Sequence, residues 1–357
     1  MGGDAGGGRP LKRREYDEDD VRVRPGKGSR PRTRIRPAHE DAVEGFVVAV
    51  DRGRYTTLVE AATAASGGRG RKKAKPVRRL VVAMKARELG RKGIVVGDRV
   101  AIVGDVSGEP DTLARIVRVE PRTSMLRRSA DDTDDTDGIE RPVVANADQL
   151  VIVTALAEPP PRPRMIDRIL VAAFDADIEA LLCLTKSDLA SPDELLSLYE
   201  PLGVPHVVVH KGGSLEDLQE HLTGRISVLV GHSGVGKSTL VNALVPDANR
   251  AVSHVNAVTG RGRHTSTSAV ALELPEGGWI IDTPGVRSFG LAHISVETVL
   301  AAFPDLIDGT VNCPKGCTHR GPDCALDAWV AEGHADPARL DSLRRLLATR
   351  DPEPTTD

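Results

Sequence analysis

The sequence predicts a three-domain chain: an N-terminal OB-fold β-barrel, a central parallel α/β domain with a phosphate-binding loop, and a C-terminal helical zinc-binding domain. Three observations carry this reading. Five short β-like runs separated by glycine-containing turns occupy residues 45–119. Beyond residue 145, apolar strands alternate with helices, and Gly231-His232-Ser233-Gly234-Val235-Gly236-Lys237-Ser238 stands between one such strand and its helix. In the helical C-terminal stretch, Cys313, Cys317, His319 and Cys324 fall within twelve residues.

A length of 357 residues suits two or three domains. Apolar residues at 40% and charged residues at 28% are ordinary for a soluble globular protein. Four Cys, three of them in the C-terminal cluster, argue against a disulfide-stapled secreted protein. No apolar run approaches the ~18 residues of a membrane span, and the N-terminus lacks the apolar core of a signal peptide, so a cytoplasmic protein with no membrane partner is expected. The net charge of -3 conceals segregation: residues 1–40 hold eleven Lys and Arg against seven Asp and Glu, and residues 69–92 hold eleven against Glu88 alone. Basic faces of this kind meet a phosphate backbone; solvated loops and a coding bias towards Arg are the plainer alternative.

Residues 1–41, low in apolar side chains and rich in Gly, Pro and charge, are expected to be a disordered basic extension. The barrel is expected over 42–125. Its first two runs, 45–50 and 55–59, are split by Asp51-Arg52-Gly53-Arg54, which carries the glycine a hairpin needs. Runs at 77–85, 100–103 and 113–119 complete five strands; from pattern alone an SH3-like barrel fits nearly as well as an OB-fold. A linker is expected over 126–144 and the α/β domain over 145–292. Gln149 to Ala155 is continuously apolar, as a strand buried on both faces requires, and 178–184, 207–209, 225–230, 270–274 and 279–281 read as further strands. Helical spacing marks 165–174, 194–202, 215–222 and 237–245. The helical domain is expected over 293–350, closing on a stripe of Leu340, Leu343, Leu346 and Leu347, with a short tail at 351–357.

The loop at 231–238 has the glycines that let backbone N–H groups surround phosphates, with Lys237 placed for the β- and γ-phosphates and Ser238, followed by Thr239, at the helix start for Mg²⁺. Asp282-Thr283-Pro284-Gly285 leaves an apolar strand about fifty residues later, where Asp282 suits Mg²⁺ and Gly285 the γ-phosphate. Between them, the polar stretch 260–267 offers Thr265 or Thr267 to the metal; a flexible basic loop on RNA is the other reading. Thr185-Lys186-Ser187-Asp188 follows a buried strand and has Asp188 placed to accept from the guanine edge, although Thr185 stands where Asn is usual. His210-Lys211-Gly212 is expected to close over the base. Val286 occupies the position where many GTPases carry a water-orienting Gln, which predicts slow intrinsic hydrolysis, with His264 the nearest substitute. These are the parts of a GTPase in rotated order, the base-reading motif coming first.

Three thiols and an imidazole in the pattern C-x3-C-x-H-x4-C predict a closed tetrahedral Zn²⁺ site of Cys313, Cys317, His319 and Cys324, with no open position for catalysis. A redox role is the alternative. Cys183, alone in an apolar strand, reads as core.

The chain resembles the RsgA (YjeQ) family of circularly permuted GTPases over residues 43–348. The resemblance rests on Val96-Gly97-Asp98, the segment 145–149, Ile166-Asp167-Arg168, the phosphate loop, 260–267, Asp282 to Gly285 and the Cys/His cluster. Thr185, the 210–212 loop and zinc spacings one residue shorter than usual are departures. It implies a monomeric GTPase of three RNA-binding parts, acting on the small ribosomal subunit and its rRNA during late maturation, with hydrolysis stimulated by the subunit; no DNA partner is expected. The family's switch-region His falls on His264. The permuted order also leads us to expect the barrel beside the base-reading motif. An RNA-binding assembly module that holds nucleotide without turning it over is the rival reading, and an ATP-using P-loop enzyme a weaker one.

Overall fold

The structure, a computed structural model, describes residues 39–61, 77–90, 93–128, 141–246, 248, 269–283, 291, 294–321 and 323–349. Strands β1 (Val43–Asp51), β2 (Arg54–Ala61), β3 (Val77–Lys85), β4 (Arg99–Val103) and β5 (Ala114–Val119) follow the spatial order β1-β2-β3-β5-β4, and β1 also pairs with β4 to close a barrel. The β3–β5 pairing is parallel and the others antiparallel, which selects the OB-fold over the SH3-like alternative. Inward-facing Val47, Val59, Val81, Val100, Ile102 and Ile116 fill the barrel. Arg52 (φ 43°) and Gly53 (φ 81°) make the two-residue β1–β2 turn, both with the positive φ that matches hairpin twist.

A β-ribbon of β6 (Met125–Arg128) and β7 (Arg141–Ala145) leads out of the barrel. The α/β part then runs β8 (Gln149–Ala155), α1 (Pro163–Asp175), β9 (Glu179–Thr185), α2 (Asp193–Tyr199), β10 (His206–Val208), α3 (Glu216–Leu222), β11 (Ile226–Val230), α4 (Lys237–Leu244), β12 (Val270–Glu273) and β13 (Trp279–Asp282). Its spatial order is β10-β9-β8-β11-β13-β12, parallel except for β12. Rejoining the chain so that β11, β12 and β13 precede β8 restores an ordinary nucleotide-binding order, so the permutation cuts connectivity and leaves packing intact. Val151, Val153, Leu229 and Ile280 face α3 and α4, while Leu150, Ile152, Val228 and Ile281 face α1. That alternation explains why these strands read as continuous apolar runs.

The barrel does not sit beside β9, the strand that leads into the candidate base-reading motif, contrary to expectation. Its β1 pairs with β12 through Ala49 and Val270, making one eleven-stranded sheet in which four strands separate β1 from β9. Permutation starts the α/β part in mid-sheet at β8, whereas β12 leaves an open edge, and an open edge is what an incoming strand satisfies. A bulge at Val47/Ala49 turns Val48 outward, 2% exposed, into the core shared with the α/β part.

The polar junction is built from the family-like motifs. Arg122 donates to both carboxylate oxygens of the buried Asp98, at 2.7 and 2.8 Å, and to the Gly93 carbonyl. Asn146 donates to the Gly97 carbonyl at 2.9 Å and accepts from the Thr123 backbone. Gly97 adopts φ 91°, and a Cβ there would lie 2.0 Å from the Ala145 carbonyl.

Among the described residues, four short helices follow: α5 (Val296–Leu300), α6 (Pro304–Ile307), α7 (Ala325–Ala331) and α8 (Pro337–Ala348). Leu340, Leu343, Leu346 and Leu347 are buried in the same core as Ile166, Ile169 and Leu170 of α1. Polar clamps flank this stripe. Arg345 donates to both oxygens of the buried Asp167 and to the Leu198 carbonyl, and lies 5.1 Å over the Tyr199 ring. Arg339 pairs with Asp305 and donates to the Pro201 carbonyl, and Arg168 reaches the Thr349 carbonyl.

Candidate functional site

The carboxyl ends of β9, β11 and β13 converge, and each carries one predicted motif. Between β11 and α4, Gly234 (φ 86°) and Gly236 (φ 93°) take backbone conformations closed to most side chains, and Gly236 caps α4. The turn they make aims the start of α4 at whatever lies inside the loop. Lys237, the first residue of α4, places Nζ 2.7 Å from Asp282 Oδ1 at the end of β13 and 3.4 Å from the Thr283 carbonyl. Ser238 and Thr239 are exposed at the same helix start, Ser233 and Gly234 are exposed in the loop, and Val235 is buried beneath it. The His232 ring places Nδ1 2.9 Å from the Ser233 carbonyl, while its Nε2 is buried with no hydrogen-bond partner.

The base-reading candidate is joined to this loop through Thr185. Its buried hydroxyl donates to the Val235 carbonyl at 2.6 Å and also lies 3.3 Å from the Thr154 carbonyl. Thr185, standing where Asn is usual, thus ties the two motifs through its hydroxyl. Lys186, at φ 59°, donates to the Glu158 carbonyl; Ser187 donates its N–H to Val209, and Asp188 is exposed. Gly212 (φ 83°) and Gly213 shape the turn after His210. Gly285 and Val286, and the stretch containing His264, Thr265 and Thr267, lie outside the described residues.

The second cluster is compact. Cys313 Sγ lies 3.8 Å from Cys324 Sγ and 3.6 Å from His319 Nδ1, Cys324 Sγ is 3.6 Å from the same nitrogen, and the ligand atoms of all four residues lie within 4.8 Å of one another. A tetrahedral ion with metal–sulfur bonds of about 2.3 Å needs sulfur–sulfur edges of about 3.8 Å, so this group could hold a metal ion of that kind. Burial pushes the Cys324 thiol up to about 12, reinforced by hydrogen bonding with Cys313 and Cys317. Burial lowers the His319 value, a shift in favour of the neutral imidazole, the ligating form. The Arg344 guanidinium donates to the His319 carbonyl and to Asp327, fixing the knuckle against α8.

Residues 119–292 match the family model described as RsgA GTPase. The protein from Pseudomonas fluorescens (strain SBW25) named small ribosomal subunit biogenesis GTPase RsgA is 41% identical over 266 residues, covering 72% of this chain and 75% of its own length. The chain belongs to the RsgA GTPase family. The Pseudomonas aeruginosa (strain LESB58) protein of the same name is 40% identical over 274 residues, covering 74% of this chain and 77% of its own. Among solved structures, YjeQ from Thermotoga maritima superposes with a TM-score of 0.59 at 26% identity, covering 86% of this chain and 98% of its own. YloQ, described as a circularly permuted GTPase, gives 0.59 at 23%, covering 88% and 98%, and supports the fold.

Sequence reasoning singled out Asp98 and Asp167 within family-like segments but missed the arginines that clamp them. Arg122 pairs with Asp98 at the barrel, and Arg345 meets Asp167 across 178 positions of chain. Nothing in the sequence near Arg122 or Arg345 points to these partners. Cys183 lies fully buried in β9, its thiol pushed up to about 12 by burial, which leaves it inert.

Proposed function

We propose that this RsgA-family protein is a Mg²⁺-dependent GTP hydrolase that binds the small ribosomal subunit and its rRNA during late maturation, and leaves the subunit when hydrolysis is complete. The observation that carries the proposal is the convergence of Lys237, Asp282 and the Thr185–Val235 tie at the carboxyl end of the sheet. In this reading Gly231 to Thr239 surround the phosphates, Lys237 offsets their charge and Asp188 accepts from the guanine edge, with the Lys186 stem along the base. Ser238 and Asp282, with Thr265 or Thr267, would hold Mg²⁺, which supplies charge neutralisation at the β- and γ-phosphates when bound. Gly285 would meet the γ-phosphate. With Val286 unable to orient water, His264 takes that role and the subunit accelerates turnover. Structural Zn²⁺ is the ion for Cys313, Cys317, His319 and Cys324. The protein acts as a cytoplasmic monomer divided into the domains expected from sequence. No helix among the described residues is long and apolar enough to cross a membrane. The alternative, an RNA-binding module that holds nucleotide with negligible hydrolysis, is separated by turnover. GTP hydrolysis should rise when purified small subunits are added; RNA binding without any rise favours the module. Asp188→Asn should lose GTP and gain xanthosine triphosphate, and unchanged GTP use would overturn the guanine assignment.

A further inference from the structure

The loop from β8 to α1 carries four prolines in five positions, Pro159-Pro160-Pro161-Arg162-Pro163. Each ring fixes its own φ, so the segment is a stiff strut. Both of its ends are held. Leu156 is buried and its N–H donates to the Thr185 carbonyl at 3.0 Å, while Pro163 opens α1. Between these anchors Glu158 holds φ 48°, a left-handed conformation that a residue with a Cβ keeps only where its surroundings impose it.

Two parts of the candidate nucleotide site meet this strut. On one side, the Lys186 ammonium donates to the Glu158 carbonyl, and Lys186 itself sits at φ 59°. A lysine has a flexible four-carbon stem with many rotamers, so the course of that stem is set by whatever tethers its ammonium. On the other side, a Cβ built on Gly234 would lie 3.5 Å from Cδ of the Pro159 ring. Gly234 is an exposed glycine of the phosphate loop, and the ring stands directly beside it. One rigid segment thereby touches the candidate base-reading motif and the phosphate loop at once.

We propose that Pro159 is a positioning residue for guanine nucleotide: braced against Gly234, it fixes the Glu158 carbonyl, which holds the Lys186 stem extended for the base. The inference rests on the base site proposed above and deepens it by adding a third wall from the β8–α1 loop. The strut acts by ordering Lys186 before the base arrives, which removes that ordering cost from binding. The test measures the affinity and dissociation rate of a fluorescent GDP, and steady-state GTP turnover, on the full-length protein. Pro159→Gly should weaken GDP binding about two- to tenfold, the factor for ordering one rotamer-rich side chain, chiefly through faster dissociation. KM for GTP should rise by a like factor with kcat unchanged, because the lysine holds ground state and transition state alike. Pro159→Ala frees φ but keeps a side chain, so it should move both quantities the same way by less; it carries the test if the glycine variant does not fold. In a Lys186→Ala background, Pro159→Gly should add little. An undiminished further loss there would assign the effect to the phosphate loop and overturn the proposal. Unchanged GDP affinity in both Pro159 variants, or a fall in kcat at unchanged KM, overturns it as well. Asp188→Asn separates the two levels. If that variant also keeps its GDP affinity, the base site itself is misplaced; if it loses GDP while the Pro159 variants do not, the strut alone falls.

Discussion

At the scale of single residues, the nucleotide site depends on contacts that are short in space and unequal in legibility. The Thr185 hydroxyl, 2.6 Å from the Val235 carbonyl, couples the candidate base-reading motif to the phosphate loop. Thr185→Val keeps the shape and leaves a buried carbonyl without its donor, a loss of about 1–3 kcal/mol. GTP-analogue affinity should fall on the order of tenfold, Thr185→Ser should restore it, and equal affinity in the Val variant would show that the tie carries nothing. The phosphate loop itself was readable because its glycines serve a local backbone need. Thr185 was readable as a departure but not as a repair, since its partner lies fifty positions away. Gly97 makes the same point at the junction. Gly97→Ala drives a Cβ towards the Ala145 carbonyl at φ 91°, so denaturant melting should show a loss of at least about 1–3 kcal/mol.

Among elements, α8 shows how a stripe and its clamps divide the work. Its four buried leucines could be read from spacing alone. Its arginine partners could not, because they lie on α1, α6 and the turn after α2. Burial raises the Asp167 carboxyl above the ordinary carboxylate range, and the Arg345 charge partly opposes this. Arg345→Ala would leave a buried ionised carboxylate unpaired, a cost of about 3–5 kcal/mol at neutral pH. A carboxyl whose folded value is raised binds its proton more tightly when folded. The penalty is therefore full above the folded value and fades as pH falls towards the unfolded value of about 3.9. Urea melts in neutral and acidic buffer should show that narrowing, and a pH-independent deficit would point to lost packing instead. The Cys/His cluster was legible because all four ligands fall within twelve residues. Chelation should lower the melting temperature and expose α7 and α8 to protease first, and added Zn²⁺ should reverse both effects.

For the whole molecule, the permutation matters less to packing than to what adjoins the nucleotide. The sheet order is that of an unpermuted domain, which is why the strands could be read from the sequence. The docking of the barrel could not be, because the permuted order suggested the candidate base-reading motif as its neighbour while the open edge of β12 took it. That pairing attaches the barrel to the strand that precedes β13 and Asp282, and α8 attaches the helical domain to α1. Both flanks are thereby tied to the sheet that carries the site, so under the proposed function a nucleotide that moves those strands can alter how the flanks hold the subunit. A ligand shifts only states that it distinguishes, so release on hydrolysis requires GTP and GDP forms to differ in subunit affinity. Cosedimentation with purified small subunits, in a non-hydrolysable GTP analogue and in GDP, measures that difference. Retention with the analogue and release with GDP are expected; equal retention in both would overturn nucleotide-coupled release.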